Sequence, residues 1–314
     1  MVRFEKILDT SGRVTLQILD PQGWSSHKTF VESAYRRFLR READVDGLAH
    51  YLNEMEAGHL NRWRLIGCFI RSPEFHYMWE VLRGGDTLHM KLHKARCDLV
   101  KLLPPADDIL DLGGANADTV EGALLAMGYP HPARTITIVD LPPAERFAQI
   151  ASYTQEQGDV WMPTTRGAKI RYLYRSMSKL DDFPSDSMDL IWSGQTIEHI
   201  EKEEAIHVLQ EGYRILRPGG YFCLDTPNAR LCRMMAPNGF IFPEHKHEYY
   251  FEELADEVRK AGFSIVETKG IGPMPRTLRK QRFDALELYR NTVICDEAEA
   301  AYSFYFKCLK NKRG

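Results

Sequence analysis

A turn of small residues directly after an apolar run constrains the fold of this chain more than any other feature. The run ILDLGGANAD (Ile109–Asp118) starts as a short buried-strand pattern and then turns through Gly113, Gly114 and Ala115. A helical pattern follows over Thr119–Met127. Strand, small-residue turn and helix start together form the cradle in which α/β proteins hold a nucleotide, although an ordinary strand-to-helix turn has the same pattern.

β-Rich runs and helical patterns alternate after this turn. Such alternation predicts an α/β fold with a doubly wound, mostly parallel sheet. Asp140 ends the second strand, where a carboxylate can accept hydrogen bonds from both hydroxyls of a ribose. The strands predicted after the turn are Thr135–Leu141, Ile170–Tyr174, Met188–Gly194, Tyr221–Asn228 and Phe263–Ile271.

The same patterns divide the chain into three segments. Residues 1–27 are predicted to form a hairpin or extension, since VRFEKIL and RVTLQIL alternate apolar and polar residues. Residues 28–84 carry four helical patterns, of which one is capped by Asn61 and one starts at Ser72. A glycine pair then marks the boundary to a domain that covers residues 85–314.

Charge and composition argue against several classes of function. Lys and Arg total 41 against 44 Asp and Glu, a net charge of −3, which gives no electrostatic case for a nucleic-acid partner. No apolar run approaches the roughly 18 residues of a membrane span, and the N-terminus lacks the apolar stretch of a signal peptide, so we expect a cytoplasmic location. The six cysteines form no CxxC pair and fit no zinc or disulfide framework.

Four motifs between Ile109 and Phe263 resemble those of class I S-adenosylmethionine-dependent methyltransferases, the large seven-stranded family. ILDLGGANA resembles the D-x-G-x-G-x-G loop, and FPSDSMDLIWSGQTIEHI resembles the stretch that ends in E-H. ILRPGGYFCLDTPN and HKHEYYFEELADEVRKAGF follow in the family's order. The resemblance implies a Rossmann-like sheet of seven strands, S-adenosyl-L-methionine (SAM) as cofactor, a helical insertion over residues 275–291 and a final antiparallel strand over Ala301–Lys310.

The resemblance also implies which residues contact SAM. Ala115 and Ala117 stand in place of the later glycines of the loop, and the neutral Met177 replaces the acid often found near adenine. A dehydrogenase would use the same strand and turn, but the alanines and the later E-H and P-G-G motifs favour a methyl donor. The implied cofactor-binding residues are Asp111, Gly113, Gly114, Ala115, Asp140, Leu141, Ser176, Met177, Ser193 and Gln195.

A glutamate and a histidine follow the fourth strand, at the sheet edge where such proteins bind ligands. We expect the catalytic groups to be His199, Glu198 and His247, with a histidine as general base toward an acceptor hydroxyl. Some relatives bind a divalent ion through an E-x-x-E-H motif and a downstream histidine, which makes Glu198, His199 and His247 candidate ligands for an ion such as magnesium. Gln195 stands where the first glutamate of that motif would be. The alternative is that the Glu-His pair only braces the strand-to-helix loop.

The stretch Ala34–Phe75 resembles another family, the small helical repeat related to phycobilisome linker modules that occurs beside enzymes of bacterial polysaccharide assembly. The resemblance implies an adaptor or oligomerisation unit, with a lid over a neighbouring active site as the alternative. The matching positions are Tyr35, Leu39, Arg41, Asp44, Gly47, Tyr51, Gly58, Ser72, Pro73, Glu74 and Phe75.

Together the two resemblances predict O-methylation of a sugar or glycan-linked acceptor in polysaccharide biosynthesis. One alternative is O- or N-methylation of a small metabolite. The other, of a different class, is a non-catalytic binding or adaptor protein in which the altered loop no longer holds the cofactor. In each case the N-terminal helices are the expected surface for a protein partner or for a second copy of the chain.

Overall fold

The computed structural model describes residues 26–82, 85–116, 119–146 and 159–312. The hairpin predicted at the N-terminus lies outside these residues. The chain forms two compact units: one includes the residues up to Thr87 together with Asp284–Tyr289, and the other holds the remainder. None of the helices in the described residues combines the length and apolar character needed to cross a membrane.

The first unit consists of short helices around a small aromatic core. Phe30, Leu65 and Phe69 are buried there, and a π-helical turn over Tyr35–Leu39 continues the first helix. Asn61 caps the third helix as predicted, because its side chain accepts the N–H of Arg64. The helices are α1 (His27–Ala34), α2 (Val45–Glu56), α3 (Arg62–Ile70) and α4 (Pro73–Leu82).

A cluster of polar side chains explains several matching positions of the N-terminal pattern. Asp44 caps α2 by accepting the N–H of Gly47 at 2.7 Å, and Arg41 bridges Asp44 and Glu74 at 2.8 and 2.6 Å. A Cβ on Gly47 would overlap the hydroxyl of Tyr35, so that position requires glycine. These residues therefore join helices within the unit, which is a structural role.

The second unit is built on one mixed sheet. Its described strands number nine, in the order β3-β4-β2-β1-β5-β6-β9-β7-β8. They are β1 (Asp108–Leu112), β2 (Thr135–Asp140), β3 (Met162–Pro163), β4 (Lys169–Tyr174), β5 (Met188–Gly194), β6 (Leu216–Pro227), β7 (Ser264–Pro273), β8 (Ile294–Cys295) and β9 (Ala301–Leu309).

The prediction of a seven-stranded, mostly parallel sheet is corrected in strand number and in orientation. The strands β4, β2, β1, β5 and β6 are parallel, while β9 runs antiparallel between β6 and β7, as predicted for the final strand. The two extra strands, β3 and β8, pair antiparallel at the sheet edges. Each has two residues, too few for an alternating pattern to show in the sequence.

Helices connect these strands. The helix after the small-residue turn is shorter than predicted, and the helical insertion predicted over residues 275–291 contains two helices. The sequence also predicts a helix over residues 143–153, most of which lies outside the described residues, and Pro143–Glu145 form a single 3-10 turn. The helices of the second unit are α5 (Leu88–Val100), α6 (Gly122–Ala126), α7 (Lys202–Ile215), α8 (Ala229–Met235), α9 (Phe251–Lys260) and α10 (Pro275–Lys280). The last helix, α11 (Ala285–Arg290), belongs to the first unit except for Arg290.

The position of β1 determines where a ligand can bind. All five of its residues are buried, with β2 on one side and β5 on the other. Parallel strands end at the same edge of a sheet, so the loops after β1, β2 and β5 meet there. The small-residue turn, Asp140 and the Glu-His pair lie at these strand ends and loops.

Candidate cofactor-binding and active site

The turn after β1 brings its backbone close to other elements, and two glycines make this approach possible. Gly113 has a φ of +72° and donates its N–H to the carbonyl of Val139 at 2.7 Å. A Cβ on Gly113 would overlap the side chain of Thr196, and a Cβ on Gly114 would overlap the carboxyl group of Asp111. Both positions therefore require glycine.

Ala115 fits the turn without strain. It is not among the described non-glycine residues with positive φ, and its N–H donates to Asp140 at 2.9 Å. The backbone therefore accommodates an alanine where the family pattern has a glycine. Ala117 lies outside the described residues.

A cavity of about 210 Å³ opens where the loops after β1, β2 and β5 meet. Of the predicted cofactor-binding residues, those that line it are Gly113, Ala115, Asp140, Leu141, Ser176, Met177 and Gln195. Of the predicted catalytic residues, His199 lines it. Asp111, Gly114 and Ser193 are buried and do not line it.

The carboxylate of Asp140 is fixed at the wall of this cavity. It accepts the N–H of Ala115 at 2.9 Å and that of Leu141 at 2.7 Å, and the Nε of Arg146 lies 3.4 Å from Oδ1. Burial raises the pKa of Asp140, whereas Arg146 and the two backbone N–H groups lower it. The group is thus oriented in advance to accept hydrogen bonds from a ligand.

Asp111 is a second carboxyl group, beneath the glycine turn. Its side chain is fully buried, and its Oδ2 has no hydrogen-bond partner among the described residues. Burial, and to a lesser extent the charge of Asp140, raise the pKa of Asp111 to about 7. Near neutral pH it is therefore partly protonated, and it lies under the turn rather than in the cavity.

Gln195 is held by a buried polar network at the end of β5. It has a φ of +53°, and its Nε2 donates to Asp225 at 2.7 Å and to Ser303 at 3.0 Å. Asp225 is itself buried and also accepts from Arg96 at 3.2 Å. A glutamate in place of Gln195 would oppose one carboxylate with another, so this contact favours the amide.

Glu198 braces the loop after β5. Only 1% of its surface is exposed, and its carboxyl group accepts the hydroxyl of Thr226 at 2.9 Å. Burial, with a contribution from Asp225, raises the pKa of Glu198 to about 8. Its backbone carbonyl accepts the N–H groups of Lys246 and His247 at 2.8 and 3.2 Å, which ties this loop to the segment before α9.

The structure places His245, rather than His247, beside the Glu-His pair. Nε2 of His247 lies 2.8 Å from Oε1 of Glu253, so its ring is turned toward α9. One ligand atom from each of Glu198, His199 and His245 lies within 4.8 Å of the other two. Among the described residues this cluster therefore contains His245 and not the predicted His247, because the irregular segment before α9 turns the later histidine toward Glu253.

His199 faces the cavity with His245 behind it. The two rings meet edge to face, with centroids 4.9 Å apart. His245 is fixed by Glu248 at 2.8 Å, and Glu248 also binds Arg233 at 3.0 Å. Burial and the neighbouring His245 lower the pKa of His199, which favours the neutral imidazole, the form that can accept a proton.

Sequence reasoning missed several residues of the cavity. Thr196 lies within hydrogen-bond distance of the carbonyls of Leu112 and Gly194, at 3.1 and 3.0 Å, and its place between Gln195 and Glu198 is a signal that could have identified it. Arg146 has no such signal, since a lone arginine in a predicted helix is typical of a surface residue. The missed residues are Val139, Arg146, Thr196 and Ile200.

Two family models match separate parts of the chain. A family model described as a methyltransferase domain matches residues 88–268, more than half of the 314 residues. A second model, described as a domain of unknown function (DUF4214), matches residues 22–79. The phycobilisome-linker resemblance of the N-terminal helices therefore stays a prediction.

Two curated relatives align with short stretches of the chain. A probable S-adenosylmethionine-dependent methyltransferase of Mycolicibacterium smegmatis is 33% identical over 88 residues, which cover 28% of this chain and 33% of that protein. A chloroplastic 2-methyl-6-phytyl-1,4-hydroquinone methyltransferase of Oryza sativa subsp. japonica is 34% identical over 94 residues, 29% of this chain and 25% of that protein. The chain thus spans a third or less of the curated relatives it matches.

One similar solved structure is a SAM-dependent methyltransferase of Thermotoga maritima. It is 19% identical, with a TM-score of 0.48, and the match covers 78% of this chain and 99% of that one.

Proposed function

We propose, because the chain belongs to the methyltransferase-domain family, that it transfers a methyl group from SAM to an oxygen atom of an acceptor. The observation that carries the proposal is the cavity in which a fixed carboxylate, Asp140, stands across from the Gly113 turn. Bound SAM would supply an electrophilic methyl group on its sulfonium. The protein would align that group with the acceptor and exclude water.

The residues of the cavity fit a nucleoside without phosphates. Asp140 would accept the ribose hydroxyls, and the apolar side chains of Leu141 and Met177 would contact the adenine beside Ser176. The backbone of Gly113 would approach the ligand directly, since no side chain stands there. These features favour SAM over a dinucleotide, whose phosphates would need a row of glycine N–H groups at a helix start.

We infer the acceptor class from the N-terminal segment. Its resemblance to modules beside polysaccharide-assembly enzymes supports a sugar or glycan-linked hydroxyl and a cytoplasmic enzyme, and it makes the segment a candidate for oligomerisation or for a protein partner. A small metabolite is the second candidate acceptor. The non-catalytic alternative loses its main argument, because Ala115 fits the turn without a positive φ.

We propose His199 as the general base toward the acceptor hydroxyl. It is the predicted catalytic residue that lines the cavity, and its lowered pKa leaves it neutral at neutral pH. Glu198 would support it through the loop, since this carboxyl group is buried and bonded to Thr226. His247, paired with Glu253, has no direct part in this proposal.

The donor set beside His199 does not fit magnesium. Magnesium prefers oxygen ligands, whereas Glu198, His199 and His245 would offer two imidazole nitrogens and only one carboxylate. No step of the proposed transfer depends on an ion. We expect turnover to persist in excess chelator, and its loss, with recovery on adding magnesium alone, would contradict this reading.

The proposed function predicts measurable binding of SAM and of its product S-adenosylhomocysteine (SAH). Calorimetry should give a Kd in the micromolar range or lower for both, because the cavity is preformed. Tritium transfer from methyl-labelled SAM to a panel of sugars, lipid-linked glycans and small phenols would then identify the acceptor. The enzyme interpretation fails if neither ligand binds at high micromolar concentration.

Substituting His199 with alanine should lower the turnover number by about 10²-fold or more, as expected for loss of a general base. SAH affinity should change much less, since the acceptor proton is not involved in that binding. The matched control is His207→Ala: His207 is an exposed histidine on α7, 3.5 Å from Asp181, and this change should leave turnover unaffected. Unchanged turnover in His199→Ala would remove the base assignment.

A further inference from the structure

A buried arginine stands in the cavity where neither the sequence patterns nor the family resemblance placed one. Only 4% of the Arg146 side chain is exposed, and its Nε donates to the carbonyl of Leu141 at 2.8 Å. The same Nε lies 3.4 Å from Oδ1 of Asp140, and the guanidinium lies 5.7 Å from the ring centroid of Tyr174. Burying a charged guanidinium costs free energy unless a negative charge lies beside it, so the burial of Arg146 favours an ionised carboxylate next to it.

Two carboxyl groups near the cavity, the fully buried Asp111 and the partly buried Asp140, cannot both be ionised at low cost. Asp140 has Arg146 and two backbone N–H donors, whereas Asp111 has the more distant Arg96 and a backbone N–H of Leu124. Burial raises the pKa of both groups, and the charge of Asp140 raises that of Asp111 further. Arg146 therefore favours ionisation of Asp140 over ionisation of Asp111.

The other titratable groups around Asp140 and Asp111 do not reverse this preference for ionised Asp140. Tyr172 and Tyr174 of β4 are the neighbours on the far side of β2, and Asp140 pairs in register with Tyr174. Burial raises the pKa of Tyr172, which therefore stays neutral and donates to the carbonyl of Val120 at 3.0 Å. Among the described residues, Arg146 is the cationic side chain that forms an ion pair with Asp140.

We propose that Arg146 is a positioning residue for the cofactor: it holds Asp140 ionised and oriented so that the negative charge of the carboxyl pair resides on the group that faces the ribose. This inference rests on the proposed function, since it concerns the ribose of SAM. A carboxylate accepts a hydrogen bond from each ribose hydroxyl, whereas a protonated carboxyl group gives up one acceptor position to its own O–H. Arg146 thus acts on the ligand through Asp140.

Arg146→Gln tests the proposal by calorimetry with SAH between pH 5 and 8. In the wild type, affinity should be retained while Asp140 is ionised and lost as the pH falls through its pKa in the folded protein. Without the guanidinium that pKa rises, so the loss should begin about one pH unit or more higher, with about tenfold weaker binding near neutral pH. Arg146→Lys keeps the charge and should recover most of the affinity at each pH.

A double-substitution cycle separates action through Asp140 from direct contact with the ligand. In the Asp140→Asn background no charge remains to be held, so adding Arg146→Gln should weaken SAH binding by less than about threefold. A full tenfold effect in that background, or wild-type affinity in Arg146→Gln alone, would overturn the proposal. Circular dichroism melts of each apo variant confirm folding, and Arg146→Met, which also removes the charge, replaces Arg146→Gln in both experiments if the glutamine variant does not fold. Absence of SAH binding by the wild type would instead refute the proposed function.

Discussion

Asp140→Ala is expected to weaken SAH binding by at least about a hundredfold. The substitution removes the proposed acceptor for two ribose hydroxyls, and a hydrogen bond to a charged group contributes about 1.5–3 kcal/mol. Two such bonds correspond to about 3 kcal/mol or more, which is on the order of 10² in Kd. The change also removes the partner of the Ala115 and Leu141 N–H groups, so the turn loses its anchor at the same time. Isothermal titration at pH 7.5 measures the effect.

Two further variants make this result specific to the ribose contact. Asp140→Asn keeps one acceptor oxygen, so its affinity for SAH should lie between those of the wild type and the alanine variant. Asp182→Ala removes a mostly exposed carboxylate that is paired with Arg175 and does not line the cavity, so it should bind SAH as the wild type does. If Asp140→Ala keeps wild-type affinity, the ribose role of this residue is refuted and the cavity would have to hold the ligand in another orientation.

Part of the cavity lining could be predicted from the sequence because it lies at strand ends. Gly113, Asp140 and Leu141 each follow a short apolar run, and the ends of parallel strands meet at one edge of a sheet. The predicted parallel arrangement therefore brings these residues together. The antiparallel β9 near the end of the chain is instead what the family resemblance implies.

The surroundings of His199 could not be predicted to the same degree because they are built from irregular segments. His245 and His247 are two residues apart before α9, and no periodicity tells which of them turns toward Glu198. The choice depends on hydrogen bonds such as that between His245 and Glu248, which are visible only once the loop is folded. For the same reason, the sequence does not indicate that the side chain of Arg146 is buried beside the cavity.

Gln195 shows how a departure from a family motif can have a local physical cause. Its amide donates to the buried Asp225, which a glutamate could do only if one of the two carboxyl groups were protonated. The sequence alone leaves open whether the glutamine weakens a metal site or serves another contact. The observed bonds to Asp225 and Ser303 favour the second interpretation.

Gly113→Ala is expected to destabilise the protein by about 2–5 kcal/mol and to abolish measurable SAH binding. A left-handed backbone costs a non-glycine residue about 1–2 kcal/mol, and overpacking against Thr196 adds about 1–3 kcal/mol. The two costs can be separated with Gly128→Ala. Gly128 has a φ of +91°, but an added Cβ would meet no heavy atom within 4 Å, so only the backbone cost should appear there.

A second-site change tests whether the steric overlap is the cause. Thr196→Ser removes the methyl group that a Cβ on Gly113 would overlap, and it keeps the hydroxyl beside the carbonyls of Leu112 and Gly194. In the Thr196→Ser background, Gly113→Ala should therefore lower the free energy of unfolding by less, and SAH binding should partly return. Thermal melts and SAH titrations of the wild type, the two single variants and the double variant measure the stability and the affinity. Equal melting temperatures for Gly113→Ala and Gly128→Ala would show that the close approach of Thr196 does not shape the turn, because the two glycines differ mainly in that contact.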